Sequence, residues 1–292
     1  MALNIQTLKT RALTAIIFVA IMLAGLLYNY WSFFILFSII HFGCWVEYQK
    51  LVGLIDKDYA NISAFHKYAV MLGGFGFMMW NVHYKMQPFG LPVSEIGKWI
   101  VVIIAVVFPV KEIVFSKKNN AKVVAHSFFG LAYISFSWGL MMNLRNTGMM
   151  FKGQTLFIDF GFTTPIILIA SIWINDTMAY IVGSLIGKTP LTKISPKKTW
   201  EGTVGGAILA IVVVSILYNL FVDKNNTIKV IGIAAIAAII GTLGDLLESK
   251  LKRLANVKDS GSFMPGHGGF LDRFDSLLLA TPFVWLFLWF IN

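Results

Sequence analysis

The densest group of chemically capable residues in this 292-residue sequence lies between Ser249 and Asp275. The stretch combines cations that can neutralise phosphate, carboxylates that can bind a metal ion, and glycines that let a ligand approach the backbone. Its members are Ser249, Lys252, Arg253, Lys258, Asp259, His267, Gly268, Gly269, Asp272, Arg273 and Asp275. These residue types together indicate a phosphate-handling site.

Asp245 extends this group backwards along the chain. Asp245, Ser249 and Lys252 are spaced i, i+4 and i+7, so a helix places them on one face, with Arg253 beside them. An ionisable residue at the end of an apolar segment is a functional candidate, although pairing with Ser249 or Lys252 within the helix also explains Asp245. We predict a helix that presents a carboxylate, a hydroxyl and two cations at the edge of a membrane.

Asp272 and Asp275 follow a glycine-rich loop, residues 261–269, and are three residues apart, a helical spacing. Acids favour helix N-termini, so capping explains Asp275 as well as a functional role does. Asp272 and Asp245 end neighbouring apolar segments, and the loop between them lets the two carboxylates meet. His267 is interpreted either as a hydrogen-bond donor to phosphate or as a turn residue. Because no second histidine lies near it in the sequence, zinc is not expected.

A second group of polar residues lies one predicted hairpin earlier. Asp176 interrupts an apolar segment and shares a helical face with Tyr180 and two glycines. A charge at membrane depth needs a partner or a cavity, so we predict a functional role for Asp176. The next loop, SPKKTWEG, offers paired lysines with hydroxyl and amide donors, which suit a triphosphate. Its candidate residues are Ser195, Lys197, Lys198, Thr199 and Glu201.

The glycines around this loop resemble a nucleotide-binding P-loop but do not fit one. The segment GSLIGKT, which begins at Gly183, has three residues between its glycines where the P-loop has four, and it ends an apolar segment instead of following a strand. The spacings Gly183/Gly187 and Gly202/Gly206 are typical of close helix packing. We therefore predict no P-loop here.

Composition defines the elements that must position these residues. The chain is 57% hydrophobic and 13% charged, with a mean hydropathy of +0.74, which excludes a soluble domain and indicates an all-α, polytopic membrane protein. The single cysteine, Cys44, excludes an intramolecular disulfide. At about 20 apolar residues per crossing, we predict about nine transmembrane helices in a single bundle. They lie near 12–29, 31–47, 68–84, 99–115, 123–143, 163–185, 204–222, 228–247 and 275–291.

The predicted spans fall into two regions. Residues 1–160 form an N-terminal region of about five spans, and 161–292 form a catalytic region whose loops, 186–203 and 248–274, carry most of the candidate residues. The first apolar segment is interpreted as a retained span, because no small-residue cleavage site follows it. The fourth span is the least regular, since Pro109, Lys111 and Glu112 interrupt it.

The distribution of lysine and arginine predicts the orientation. If the N-terminus is cytoplasmic, that side carries 18 of the 24 basic residues, as the positive-inside rule requires. The two loops with the candidate residues are then cytoplasmic. Basic loops that hold topology and attract anionic headgroups explain the lysines of the earlier loops. They do not explain the later loops, where basic residues alternate with Ser, Thr, Gly, Pro, His and acids.

The candidate residues resemble the signature of the phosphatidate cytidylyltransferases, also known as CDP-diacylglycerol synthases. The resemblance is carried by Ser249-x-x-Lys252-Arg253, Lys258-Asp259, Pro265-x-His267-Gly268-Gly269 and Asp272-Arg273-x-Asp275. The SPKKTWEG loop resembles a second characteristic segment of that family. The resemblance is specific over about residues 165–276, with Met264 standing where the pattern usually has Leu, Ile or Phe.

The resemblance implies transfer of a cytidylyl group from CTP to phosphatidic acid, with release of pyrophosphate. It implies Mg²⁺ on Asp245 and Asp272 and leaves room for a second cation. The expected catalytic residues are Asp245, Asp272, Lys252, Arg253 and His267. The expected substrate-binding residues are Asp176, Tyr180, Ser195, Lys197, Lys198, Thr199, Glu201, Ser249, Lys258, Asp259, Gly268, Gly269, Arg273 and Asp275. Within these sets, Lys197, Lys198 and Thr199 would close over the nucleotide or the lipid headgroup, and Asp176 would line a polar cavity.

The same resemblance implies the setting. The expected partners are CTP, phosphatidic acid and membrane lipids, without nucleic acid, and a homodimer is compatible with the sequence. The expected location is a bacterial cytoplasmic membrane, with the site on its cytoplasmic face. Two other functions remain open at this point. One is a CTP-dependent kinase of a polyprenol-like lipid, which would benefit from a base for the accepting hydroxyl. The other is an anion transporter, for which no half-to-half repeat is visible.

Overall fold

Helices make up most of the residues that the structure describes. The computed structural model describes residues 5–115, 121–146, 149–152, 156–159, 161–222, 226–263 and 268–291. The helices are α1 (Ile5–Leu27), α2 (Tyr30–Ile55), α3 (Lys57–Ala60), α4 (Ala64–Trp80), α5 (Val93–Phe115), α6 (Ala121–Gly130), α7 (Phe136–Asn146), α8 (Thr163–Ile186), α9 (Trp200–Phe221), α10 (Thr227–Leu254) and α11 (Leu271–Ile291). A π-helical turn, Leu131–Ser135, joins α6 to α7.

Each predicted span falls on a helix. Among the described residues, seven helices are long and apolar enough to cross a membrane. They are Tyr30–Ile55, Val93–Val114, Ala121–Asn146, Thr163–Ile186, Trp200–Phe221, Thr227–Leu254 and Leu271–Ile291. The first and third predicted spans correspond to α1 and to the 17-residue α4. The prediction of an all-α integral membrane protein with about nine spans is confirmed, and α5 continues through Pro109.

One local feature was not predicted. Strands β1 (Met149–Lys152) and β2 (Leu156–Asp159) form a short antiparallel pair between α7 and α8. Their register pairs Met149 with Asp159 and Lys152 with Leu156. The pair lies in the connection between the fifth and sixth predicted spans. It leaves the helical class of the protein unchanged.

The packing divides the chain into two compact units, each discontinuous in sequence. The first unit contains Met1–Asn146 and Leu254–Arg273, and the second contains Thr147–Arg253 and Phe274–Asn292. The predicted regional boundary at 160 lies near the first change of unit. The segment 254–273 nevertheless packs with the N-terminal helices, because its contacts are made with residues far away in sequence. We predicted a single bundle, so the division into two units was not anticipated.

The first unit has an aromatic core organised by the π-helical turn. Phe37 packs between Phe33 and Trp138, with ring centroids 4.6 and 5.1 Å away. At the end of the turn, the Ser135 hydroxyl accepts a hydrogen bond from Trp45 Nε1 at 2.9 Å and bonds His41 Nε2 at 3.1 Å. These polar groups are buried and need partners. The extra residue of the π turn thus places a hydroxyl where two buried ring nitrogens require one.

Close packing of α8 against α9 organises the second unit. A Cβ atom at Gly206 would lie 2.7 Å from the backbone nitrogen of Ala179, and one at Gly202 would lie 2.7 Å from the Ala179 carbonyl oxygen. Real side chains cannot approach a backbone this closely. The interpretation of the Gly202/Gly206 spacing as a helix-packing motif is confirmed.

This contact leads to a stability prediction. We expect Gly206→Leu to destabilise the protein by about 1–3 kcal/mol, because the added atoms meet backbone that cannot rotate away. Thermal unfolding of the purified protein in detergent would measure the loss. Val204→Leu, at a half-exposed position two residues earlier on the same helix, serves as control and should leave the unfolding temperature unchanged. Equal midpoints for the two variants would contradict the packing role.

Candidate active site

Three helices of the second unit meet close to Asp245. A Cβ atom at Gly244, the preceding residue on α10, would lie 2.5 Å from the carbonyl oxygen of Asp275 on α11. One turn earlier, Gly241 lies against Ser276 of α11 and Ile172 of α8. Glycine at 244 lets the backbones of α10 and α11 approach closely, and a side chain of α8 contacts α10 at Gly241. The carboxyl-bearing segments of α8, α10 and α11 are thereby brought together.

Asp275 is the buried carboxylate of this meeting point. Its residue surface is only 8% exposed, and its carboxylate lies within electrostatic range of those of Asp245 and Asp176 and of the Lys252 ammonium. Capping does not explain Asp275, because α11 begins at Leu271 and Asp275 lies in its second turn. Acids from three helices and the Lys252 ammonium are therefore close enough to interact electrostatically.

Asp245 connects the two groups of residues that the sequence singled out. Its carboxylate forms an ion pair with the Lys198 ammonium and accepts a hydrogen bond from Ser249 Oγ at 3.2 Å. Lys198 belongs to the loop between α8 and α9, whereas Asp245 and Ser249 lie on α10. The structure thus places the SPKKTWEG loop beside the end of α10. The hydrogen bond within α10 that the spacing suggested is also present.

Lys252 has a partner that the sequence analysis overlooked. Glu248, one turn earlier on α10, is fully buried and forms an ion pair with Lys252. A buried carboxylate is costly unless it is paired, so this contact constrains the lysine strongly. The signal was available, since Glu248 is an ionisable residue at the end of an apolar segment, as Asp245 is. Lys252 thus neutralises a buried acid in addition to its predicted role at phosphate.

Backbone hydrogen bonds and one carboxylate hold the α8–α9 loop in shape. Leu191 N donates to the Lys198 carbonyl at 2.8 Å, and Trp200 N donates to the Thr189 carbonyl at 2.9 Å. At the base of the loop, Glu201 accepts hydrogen bonds from Thr189 Oγ1 at 2.9 Å and Lys188 N at 3.2 Å. The loop that carries Lys198 is therefore tied to the start of α9.

The remaining predicted residues of this loop have local contacts. Thr199 caps α9 by accepting a hydrogen bond from Gly202 N at 3.1 Å. The carbonyl oxygen of Ser195 accepts a hydrogen bond from Lys198 N at 3.1 Å, and the Lys197 side chain is exposed. Substrate roles for Ser195, Lys197, Thr199 and Glu201 stay predictions, because these contacts explain loop shape and do not identify a ligand.

Asp272 organises the glycine-rich loop within the first unit. Its Oδ2 accepts hydrogen bonds from Ser260 N and Gly269 N, both at 2.8 Å, and lies 2.9 Å from Ser260 Oγ. Gly268 has a φ of +83°, and a Cβ atom there would lie 2.5 Å from Asp272 Oδ2. Glycine is therefore required at 268 for both conformation and space. Glu47 of α2, which the sequence analysis missed, supports the same loop by accepting hydrogen bonds from two of its backbone amides.

The other candidate residues lie at the surface or outside the described residues. Arg253, Lys258, Asp259 and Arg273 are exposed, as is Tyr180, and His267 lies outside the described part of the chain. Asp176 is also exposed, so the burial expected from its apolar neighbours is not found. Its neighbour Asn175 is the buried polar residue, with an Oδ1 atom that has no hydrogen-bond partner. Helical spacing alone could not separate these two adjacent side chains.

The acids of the site suit a divalent cation. Within the part of the chain that the structure describes, no three His, Cys, Asp or Glu side chains form a group that could hold a metal by themselves. Mg²⁺ requires only one or two carboxylates, with water and substrate phosphates completing its oxygen ligands. Asp245 fits this chemistry, because its carboxylate already holds a cation, the Lys198 ammonium. Asp272 belongs to the other unit, and its pairing with Asp245 stays a prediction.

Comparison with known proteins identifies the class of this protein. Residues 9–291 match the model of the cytidylyltransferase family, so the chain belongs to that family of nucleotidyl-transferring enzymes. A relative from Thermotoga maritima named phosphatidate cytidylyltransferase is 32% identical over 260 residues, which are 82% of this chain and 87% of the relative. Relatives of the same name from Staphylococcus aureus and Staphylococcus epidermidis are 35% and 36% identical, covering 64% and 65% of this chain and 70% and 71% of their own lengths. The family resemblance inferred from the signature residues is confirmed.

Proposed function

We propose that this protein transfers the cytidylyl group of CTP to phosphatidate, forming CDP-diacylglycerol and pyrophosphate. The observation that carries the proposal is the convergence of Lys198 and Ser249 on Asp245, which lies within electrostatic reach of Asp275. Cations for phosphate and carboxylates for a metal occur there at the ends of apolar helices. The printed names of the relatives support phosphatidate as the accepting lipid.

The proposed reaction requires positioning more than proton transfer. A phosphate oxygen of phosphatidate attacks the α-phosphorus of CTP, a new P–O bond forms, and the bond to the bridging oxygen of the β-phosphate breaks to release pyrophosphate. The attacking oxygen is already anionic, so no general base is needed. Catalysis then consists of alignment and neutralisation of charge, the roles that suit Lys198, Lys252 and Arg253.

The proposed reaction also requires a divalent cation. Asp245 and Asp272 would hold Mg²⁺, which would screen the negative charge of the triphosphate when bound. Lys198, whose ammonium pairs with Asp245 in the structure, would then bind a phosphate group of the substrate. We expect chelation of Mg²⁺ by EDTA to remove activity and added Mg²⁺ to restore it.

The predicted orientation places the reaction on the cytoplasmic side of a bacterial inner membrane. That side carries 18 of the 24 lysine and arginine residues in the predicted topology. CTP is available in the cytoplasm, and phosphatidate would enter from the leaflet. Proteolysis of inverted and right-side-out vesicles at the α8–α9 loop would test this orientation.

Labelled CTP tests the function directly. Purified protein in detergent receives Mg²⁺, phosphatidate and CTP that is labelled at either the α or the γ phosphate. We expect label from the α position in the lipid product and label from the γ position in pyrophosphate. Transfer of γ label to lipid would indicate a kinase, and an absence of lipid label from either position would overturn an enzymatic role with phosphatidate. Diacylglycerol in place of phosphatidate is the matched control and should accept no α label.

A further inference from the structure

Glu47 is a buried carboxylate that the proposed chemistry does not use. It lies on α2, is 8% exposed, and accepts hydrogen bonds from Phe270 N and Leu271 N, both at 2.9 Å. Leu271 is the first residue of α11, so Glu47 satisfies amides that the helix itself leaves without partners. A negative charge is favourable at this helix end. An acid on α2 therefore supports the start of a helix more than 200 residues further along the chain.

The glycine-rich loop is shaped to admit this carboxylate. A Cβ atom at Gly261 or at Gly269 would overlap the carboxylate of Glu47. One turn before Glu47 on α2, Gly43 makes room for the Phe270 ring, which would collide with any side chain there. Glycines on both sides of the contact thus allow the loop and α2 to meet. A turn by itself would not require glycine on both sides of this contact, whereas packing of the loop against α2 does.

Ser260 connects Glu47 to Asp272. Its hydroxyl lies 2.7 Å from Glu47 Oε2 and 2.9 Å from Asp272 Oδ2, while its backbone nitrogen donates to the same Asp272 oxygen at 2.8 Å. A hydroxyl has one hydrogen, which it can give to only one of the two acids at a time. The Ser260 hydroxyl therefore links the Asp272 carboxylate to Glu47, beside the hydrogen bonds that Asp272 accepts from Ser260 N and Gly269 N.

We propose that Glu47 is a positioning residue that holds the Asp272 loop in the geometry needed for cation and phosphate binding. The inference rests on the proposed function for the role of Asp272, but its structural part can be tested without activity. Removing the charge leaves the amides of Phe270 and Leu271 and the Ser260 hydroxyl competing for fewer acceptors. The backbone at Ser260 and Gly269, which holds the Asp272 carboxylate, is then less firmly held against α2, and we expect this predicted metal ligand to shift with it.

Glu47→Gln tests the inference, with Glu112→Gln as the matched control. The new side chain keeps its size but offers one acceptor oxygen and turns an NH₂ group towards backbone N–H donors. Glu112 belongs to the same unit, and its pairing with Lys111 lies outside the loop. In purified full-length protein, we expect hydrogen exchange at Phe270 and Leu271 to become at least about fivefold faster in Glu47→Gln. The control should leave both rates unchanged.

Kinetics separate positioning from a general loss of structure. We expect Glu47→Gln to lower kcat by about 10- to 100-fold and to raise the Mg²⁺ concentration needed for half-maximal rate. The KM for phosphatidate should remain at the wild-type value. Unchanged exchange together with wild-type kinetics would overturn the inference. If the wild-type protein shows no cytidylyl transfer, the proposed function is overturned instead. The hydrogen-exchange rates would still decide the role of Glu47.

Ser260→Ala provides a second variant in case Glu47→Gln fails to fold. It preserves the charge of Glu47 and its two amide contacts but removes the hydroxyl that joins the acids. We expect a smaller fall in kcat and a rise in the Mg²⁺ requirement in the same direction. A wild-type Mg²⁺ requirement in a folded Ser260→Ala protein would contradict the coupling.

Discussion

Asp245→Ala is expected to lower the rate of cytidylyl transfer by about 1,000-fold. The change removes the carboxylate that binds the Lys198 ammonium and accepts the Ser249 hydrogen bond. It also removes one of the two predicted ligands of Mg²⁺. Transfer of α-labelled phosphate from CTP to lipid measures the loss. Because Asp245 is only half-buried, the variant should fold, and its elution from a sizing column in detergent should match that of the wild type.

Two further variants make this result specific. Asp245→Asn retains an acceptor for Ser249 but removes the charge, so it should be nearly as inactive as Asp245→Ala if charge is what matters. Glu95→Ala removes an acid from an exposed ion pair on α5 and should keep full activity, since such pairs contribute little. Near-normal transfer by Asp245→Ala would show that the convergence on this carboxylate is structural and would remove the central support for the proposed site.

Lys252→Ala is expected to have the largest effect on stability, a loss of about 3–5 kcal/mol. The substitution removes a cation that forms an ion pair with Glu248, a residue without exposed surface, and so removes a charge that offsets that of the buried carboxylate. Thermal unfolding in detergent, followed by tryptophan fluorescence, measures the change. Lys250→Ala is the matched control, because Lys250 lies two residues earlier on α10 with an exposed side chain.

A compensating substitution separates the two roles of Lys252. Adding Glu248→Gln to Lys252→Ala removes the buried charge, so most of the lost stability should return. Activity should stay low, because the cation predicted to bind phosphate is still missing. If the double variant recovered activity along with stability, Lys252 would be only the partner of Glu248. If Lys252→Ala were as stable as Lys250→Ala, the buried pair would not contribute as its geometry indicates.

The candidate site was only partly predictable from sequence. The helical spacing of Asp245 and Ser249 predicted their contact correctly, because residues four apart on a helix are neighbours whatever surrounds them. The same spacing did not reveal that Glu248 is buried while Asp176 is exposed. In a membrane protein both faces of a helix are apolar, so the pattern of hydrophobic residues does not mark the buried face as it does in a soluble protein.

The sequence by itself determined the membrane class, the approximate spans and the family, because hydropathy over about 20 residues and short signature motifs are local properties. Tertiary structure alone decided which acids and cations meet. Lys198 reaches Asp245 across two elements, and Glu47 contacts Leu271 at a separation of 224 residues. No local pattern encodes such pairs, since they depend on which helix faces which and on glycines that admit a carboxylate to the backbone. The phosphate-handling stretch can be identified from the sequence, whereas its contacts with α2 are shown only by the folded structure.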